Sequence, residues 1–313
     1  MNPRTTSRTP LDGWVEGQWR VYEQSSAQFF ARALGEHDPE LLEGRRLCET
    51  FAILPVWQTQ EMVTVETFGL EAMAHGVHGE QRFEFIRPME LGIDVRGRSK
   101  IVGVRWHTKG TLLSVLSEVF DQKGIVCRQQ EVLFSLGVWL DPQSEASSGE
   151  EVLAPETGAV VSSAFEGHWN AEPAQVSLYA DASGDRFEVH TNEAYAQLLG
   201  YPSIIMHGMC TMGIATRSIR DCMIGYGKLR LTSLGVRFSA PVVPPVRLVT
   251  RVTVEHATAF GVSGRFETLD IDRDMKVLSH GYFGAERPYV ASSPCKTRSE
   301  VVTPWMHSSN GEL

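Results

Sequence analysis

The 313-residue sequence predicts an α+β chain built from two copies of one unit, and three observations carry that expectation. The stretch FFARALGEHDPELL near residue 30 is echoed by LYADASGDRFEVH near residue 179, which aligns Gly35 with Gly184 at an offset of 149. A second echo sets QRFEFIRP, Gln81–Pro88, against VRFSAP, Val236–Pro241, with the two prolines at an offset of 153. In each copy a helical stretch precedes several strand-like runs, and helices followed by a meander of strands is the α+β order.

The strand-like runs of the first copy are Ile93–His107, Leu112–Asp121 and Ile125–Trp139; those of the second are Val246–Glu255, Gly261–Asp270 and Lys276–Phe283. Within Val246–Glu255, Val246, Leu248, Thr250, Val252 and Val254 alternate with Arg247, Val249, Arg251, Thr253 and Glu255. Period-two alternation predicts an antiparallel strand with one buried face. Met212, Ala215, Ile219, Cys222 and Tyr226 are spaced three and four apart, which predicts a buried amphipathic helix opening near Gly208. The units are expected at residues 1–140 and 164–290. Between them Asp141–Ser163, containing DPQSEASSGEEVLAPETG, is poor in large apolar groups and reads as a linker. Met1–Gly13 and Arg287–Leu313 are polar or broken by proline, so loose ends are expected, with a loose tail from residue 291.

Composition excludes several classes. A net charge of −9 argues against nucleic acid, because affinity for nucleic acid rests on neutralising phosphates. Locally, Arg217, Arg220, Lys228, Arg230, Arg237, Arg247 and Arg251 face a single acid, Asp221, over 217–251, a balance that would suit a phosphorylated ligand. Cys48, Cys127, Cys210, Cys222 and Cys295 are odd in number and form no Cys-x-x-Cys pair, which predicts neither a disulfide frame nor a zinc knuckle. His75 and His78 have no further ligand type close by, so no metal is expected there. Gly225-Tyr226-Gly227 has Arg230 where a dinucleotide fingerprint needs its third glycine, and no Gly-x-Ser-x-Gly elbow occurs. No apolar leader and no run of the ~18 apolar residues needed to span a bilayer is present, so a cytoplasmic protein off the membrane is expected. The terminal Gly311-Glu312-Leu313 is not the Ser-Lys-Leu address and lends nothing to a peroxisomal expectation.

The segment Tyr179 to Gly213 carries the chemistry. Asp185 and His190 lie five apart just after Gly184, which ends the preceding periodic run, so both side chains can turn to one cavity. A carboxyl and an imidazole held together can deprotonate a water and protonate a carbon without a metal. His207-Gly208-Met209 then opens the amphipathic helix, and Gly208 leaves first-turn N–H groups unshielded, suited to the developing oxyanion of a thioester carbonyl. The plainer readings stand beside these: Asp185 as a turn residue, His190 as a surface histidine, His207 as a buried histidine bonded to backbone, and Gly208 as a close-packing residue.

This block resembles the MaoC-like dehydratase superfamily, whose R-specific enoyl-CoA hydratases carry Gly-Asp-x-Asn-Pro-x-His followed by a His-Gly-Met-like helix start. Ser183, Gly184, Asp185, His190, Thr191, Ala194, Tyr195, Ala196, Gly200, Tyr201, Ile204, Ile205, His207, Gly208 and Met209 fall where that pattern expects small, acidic, basic and apolar residues. Phe187 and Glu188 replace the Asn-Pro pair. Val236–Pro241 looks like the first long strand after the family's helix, and His78-Gly79-Glu80-Gln81 like an element of its two-part members.

The resemblance implies a tandem (double) hot-dog fold, with two antiparallel sheets each wrapped around a central helix. It also implies hydration of a 2-enoyl-CoA or carrier-protein thioester, or the reverse dehydration, without metal or redox cofactor. Asp185 and His190 would be the catalytic pair, with Gly208, His207 and Phe187 around the thioester. Arg237 would be a contact for coenzyme A. Offset by 149, the catalytic pair maps to Glu36 and Leu41, so the first unit keeps an acid, lacks the imidazole, and is expected to serve as sheet partner and part of the acyl pocket. Two units side by side mimic the dimer of single-unit relatives, and a further homodimer is left open. So are a weakly active acyl-thioester-binding protein and a thioesterase on the same fold.

Overall fold

The structure, a computed structural model, describes residues 4–6, 13–69, 76–140 and 159–288. Strands β1 (Arg4–Thr6), β2 (Val15–Glu16) and β3 (Arg20–Val21) lead to helices α1 (Gln24–Ala33), α2 (Pro39–Leu42) and α3 (Leu54–Phe68). Strands β4 (Gly76–Phe85), β5 (Asp94–His107), β6 (Gly110–Asp121), β7 (Gly124–Leu136) and β8 (Val138–Leu140) complete the first unit. The second runs β9 (Ala159–Ala171), α4 (Pro173–Ser183), α5 (Glu188–Thr191), α6 (Glu193–Leu198), α7 (Gly208–Met223), β10 (Arg230–Phe238), β11 (Val246–Ala257), β12 (Gly261–Asp270) and β13 (Met275–Glu286).

The strand order is β2-β5-β6-β7-β4-β10-β13-β12-β11-β9, with β3 also paired to β5. Reading inward from each end, the same chain-order pattern repeats, so the two units are related by an internal twofold. This is the double hot-dog architecture. The sheets of the two units are continuous, as the sheet-partner expectation for the first unit requires. They join edge to edge through β4 and β10, where Gln81 stands opposite Val236 and Phe83 opposite Leu234. The segments that echo one another in sequence are thus the strands that meet. An edge strand left with unpaired N–H and C=O groups is a liability, and mutual pairing satisfies both edges at once.

Gly35 and Gly184, the matched glycines, both take positive φ, 60° and 80°, just past the ends of α1 and α4. A left-handed C-terminal residue stops a helix and favours glycine. α1 and α4 pack on each other, with Phe30 and Tyr179 rings 5.6 Å apart.

α7 buries Met212, Ala215, Ile219 and Cys222 as their spacing predicts, while Tyr226 lies in the short 3-10 turn beyond the helix. The equivalent helix α3 has no such stripe, because Thr59, Gln60, Thr64 and Thr67 are among its buried residues. Polar residues on the inward face erase the apolar periodicity that sequence reading depends on. β9 takes in 159–163, the end of the segment read as linker, and pairs along β11 from Ala159↔Ala257 to Ala171↔Val246. β1 pairs in parallel with β8, so 4–6 belong to a sheet and not to a loose end. The remainder of the segment read as linker and the tail from 291 lie outside the described residues. Four cysteines, Cys48, Cys127, Cys210 and Cys222, are free and buried; Cys295 lies outside the described residues.

Close helix-on-sheet packing in the first unit depends on Gly97 of β5, where an added Cβ would overlap the Pro55 carbonyl at the start of α3. Gly97→Ala is expected to lower stability by roughly 1–3 kcal/mol, the usual cost of overpacking. Urea unfolding checks this: the midpoint should drop with an unchanged slope.

Candidate active site

The site is built by a chain that stops, turns and restarts. α4 ends at left-handed Gly184, and the Ser183 hydroxyl, donating to the Tyr179 carbonyl at 2.7 Å, accepts the Asp185 N–H at 3.2 Å. Asp185 Oδ1 accepts the Phe187 N–H at 3.2 Å, an Asx turn that fixes the carboxyl and starts α5. His190 sits in that short helix. Its Nδ1 lies 2.7 Å from the Ile205 carbonyl oxygen, which can only accept, so Nδ1 carries the proton and Nε2 keeps its lone pair. His207, the residue before α7, places Nε2 at 2.9 Å from the Asp185 carbonyl and so donates there, tying the start of α7 to the Asp185 turn.

Asp185 and His190 line one cavity of about 480 Å³ with Phe187, His207 and Gly208. Donor atoms of Asp185, His190 and His207 lie within 4.8 Å of one another. The His190 and His207 rings stack with centroids 3.8 Å apart and planes 25° apart. Imidazole lone pairs lie in the ring plane, and two rings stacked face to face do not aim both at one ion, so the trio fits a proton-handling site better than a metal site. His207 is 2 % exposed and bonded to backbone, the plainer of its two readings. Gly208 serves packing as well as the helix start: a Cβ there would meet the Phe238 ring at 3.1 Å.

Burial sets the electrostatics. It raises the Asp185 carboxyl above its ordinary value, an effect that the nearby His190 opposes. It lowers His190, opposed by Asp185 and the Ile205 carbonyl, and lowers His207 to about 3, assisted by His190. The neutral form of each is favoured: a carboxylic acid able to give a proton and an imidazole able to take one.

One expectation fails here. The arginines of 217–251 do not act as a single patch. Arg220 is buried against Glu36 and Glu49; Arg217 donates to the Leu34 carbonyl and Arg230 to the Phe85 carbonyl; Arg247 pairs with Asp272 and Arg251 with Glu166. Arg237 pairs with Glu80 at 2.7 Å across the β4–β10 seam and stays half-exposed. Charges scattered through a sequence window reach different faces once strands and helices separate them. The acid mapped from Asp185, Glu36, is spent on Arg220 in a buried pair. His75 lies outside the described residues; His78 is a cavity residue bonded to Gln81 Oε1 at 3.0 Å and set against Phe238 at 4.6 Å.

Sequence reading expected the first unit to supply part of the pocket but did not identify the residues of that wall: Trp57, Gln60, Thr64 and Phe68 of α3, with Glu131 of β7. The 57-60-64-68 spacing was present but carried by mixed polarity, so it gave no apolar signal.

The fold and site together define a double hot-dog protein with a buried Asp–His pair beside a helix start. Residues 146–271 match the family model described as MaoC like domain. It is 24% identical over 208 residues to the peroxisomal multifunctional enzyme type 2 of Drosophila melanogaster, covering 66% of this chain and 33% of that one. It is 24% identical over 217 residues to the peroxisomal enoyl-CoA hydratase 2 of Arabidopsis thaliana, covering 66% of this chain and 67% of that one. The chain therefore spans only a third of the Drosophila relative's length. A MaoC-like dehydratase from Phytophthora capsici superposes with a TM-score of 0.69 at 23% identity, over 88% of this chain and 96% of that one. A Mycobacterium tuberculosis protein described as having a double hot-dog fold gives 0.57 at 11% identity, over 90% and 96%.

Glu131 yields a stability test. Burial raises its carboxyl from 4.5 to about 8, so between those values the unfolded chain has released a proton that the folded chain keeps, and stability falls as pH rises. The cavity histidines titrate with the opposite sign and below 6.5: stability is lost as pH falls, because burial lowers His78 to about 4 and His207 to about 3. Thermal melts from pH 6.5 to 8 are expected to show a declining midpoint in the native chain and a shallower decline in Glu131→Gln.

Proposed function

We propose that this chain adds water reversibly across a 2-enoyl thioester, of coenzyme A or a carrier protein, to give a 3-hydroxyacyl thioester of R configuration. The observation that carries this reading is the fixed tautomer of His190: the Ile205 carbonyl holds the proton on Nδ1, leaving Nε2 a base in a cavity shared with Asp185 and the start of α7. His190 takes a proton from a water as its oxygen bonds to C3. The C2–C3 π electrons move onto the thioester, and the oxyanion of the resulting enolate is held by the Gly208 N–H. Asp185 gives its carboxyl proton to C2, and the proton on His190 returns to Asp185, restoring both groups. One water is consumed and no electron is transferred, so the step calls for no redox cofactor. His207 acts as a positioning residue, through its bond to the Asp185 backbone.

Phe187 stands where the resemblance expects an asparagine and lines the cavity, giving an apolar wall beside the reacting carbons. Run in reverse, the same groups dehydrate a 3-hydroxyacyl thioester; substrate supply decides the direction. The names of relatives include both hydratase and dehydratase. Among the described residues no helix is long and apolar enough to cross a membrane. Cytoplasmic location is part of the proposal, to be read by fractionation, since several relatives are named as peroxisomal. A homodimer is likewise part of it, as an association outside the catalytic cavity, to be read by sedimentation.

Asp185→Asn and His190→Gln are each expected to keep the fold and lose about 100- to 10,000-fold in turnover, the usual worth of general acid–base help. Loss of the conjugated double bond's absorbance on a crotonyl or longer enoyl thioester reads this, and wild-type rates in both variants sink the assignment. Glu36→Gln is expected to unfold more easily, because Arg220 loses its buried counter-charge, yet to turn over normally while folded. An inactive but folded Glu36→Gln would mean that the first unit also has a catalytic acid.

A further inference from the structure

The wall that the first unit gives to the cavity is polar where an acyl chain would lie. α3 turns Trp57, Gln60, Thr64 and Phe68 to it, and the facing strand β7 contributes Glu131, Leu133 and Ser135 at alternate positions. Gln60 is 1 % exposed, and among the described residues neither its side-chain nitrogen nor its oxygen has a hydrogen-bond partner. Glu131 is 3 % exposed, and its Oε1 has none. Thus a helix residue and a strand residue bring unpaired polar atoms to the same space.

His207 Nδ1, elsewhere in the cavity lining, is also unpaired, but the polar groups next to Gln60 and Glu131 are bonded. His78 Nε2 bonds Gln81 Oε1 at 3.0 Å, Gln81 donates to Gln129 at 3.4 Å, and Gln129 donates to the Ala52 carbonyl. The Thr64 hydroxyl donates to the Gln60 carbonyl at 2.7 Å, and Thr59, Ser99 and Ser117 form a hydroxyl chain. Gln60 and Glu131 thus hold unpaired atoms among bonded neighbours, and a buried orphan is costly. An unbranched alkyl chain would seal that cost in. A ligand atom able to hydrogen-bond removes it.

The charge of that ligand group follows from the lining. The cavity walls include no lysine or arginine, so an anionic acyl terminus would have no counter-charge. Burial favours the protonated carboxyl of Glu131, which can then donate as well as accept, as the Gln60 amide does. Both suit a neutral oxygen.

We propose that the acyl group of the substrate carries a neutral oxygen function, a hydroxyl or keto group remote from the thioester, which Gln60 and Glu131 hydrogen-bond from opposite walls of the cavity. This rests on the thioester reading above and specifies its substrate class.

The test uses saturated acyl-CoA thioesters of equal length, one alkyl, one hydroxylated or keto-substituted along the tail and one ending in a carboxylate. Saturated chains cannot be hydrated, so calorimetric affinity is read apart from turnover. The wild-type protein is expected to bind the oxygenated thioester about tenfold more tightly than the alkyl one, equivalent to roughly 1.4 kcal/mol, and the carboxylate most weakly. Gln60→Leu and Glu131→Leu should each erase the preference while leaving alkyl binding at or above wild type, and Glu131→Gln should restore part of it; melting curves establish that each variant is folded. Equal wild-type affinity for alkyl and oxygenated chains, as expected if water alone satisfies the two side chains, overturns the inference. So does a preference that survives both leucine variants, or tightest binding of the carboxylate. Failure of every thioester to bind overturns the hydratase reading with it, whereas binding without preference leaves that reading standing.

Discussion

The antiparallel pairing of β4 with β10 is the constraint on which the rest of the molecule depends. Each strand would otherwise be a sheet edge, and their pairing makes one sheet from two units, with α3 packed on β5 and β6 and α7 on β9 and β11. The cavity lies across this junction: β4 contributes Gly76, Val77 and His78, and the chain leaving β10 contributes Phe238, Ser239, Ala240, Pro241 and Val242. The charge expected to meet an outside ligand also lies here, as Arg237 binds Glu80 across the seam.

On that frame the two central helices differ in the polar groups that they bury. α7 buries methionine, isoleucine, alanine and cysteine with the hydroxyls of Thr211, Thr216 and Ser218, whereas α3 buries Val56, Val63 and Phe68 together with three threonines and the amide of Gln60. Burial raises the Asp185 carboxyl and lowers the His190 imidazole, shifting each towards its neutral form. The threonines of α3 bond to carbonyls of their own helix, whereas the Gln60 side chain has no partner among the described residues, and a buried hydrogen-bonding group stabilises only when paired. The unit that lacks the imidazole, with Leu41 at the mapped position, is thus a pocket wall with chemistry of its own and not a spent copy.

Much of the site was legible because its parts lie close along the chain. Gly184, Asp185 and His190 fall within one turn-and-helix segment, where the left-handed glycine and the Asx turn are local features with local sequence signals. The start of α7 was legible from the three-and-four spacing that follows Gly208. α3 was not, because its buried face mixes Trp57, Gln60, Thr64 and Phe68, and periodicity methods see only apolar periods. The basic window 217–251 misled for the complementary reason: adjacency along the chain says nothing about faces once Arg220 turns inward to Glu36 and Arg247 outward to Asp272.

The sequence by itself determined the repeat, the strand meanders and the local turn that holds Asp185 near His190, since each depends on contacts among neighbours or on a short period. Only the tertiary structure decided that the two sheets are one, that His207 ties the Asp185 turn to α7, that Glu36 and Arg237 meet partners 184 and 157 residues away, and that Gln60 and Glu131 share one cavity with Asp185 and His190. Those outcomes depend on which long-range partner reaches a charge or an amide first, and no local pattern encodes that.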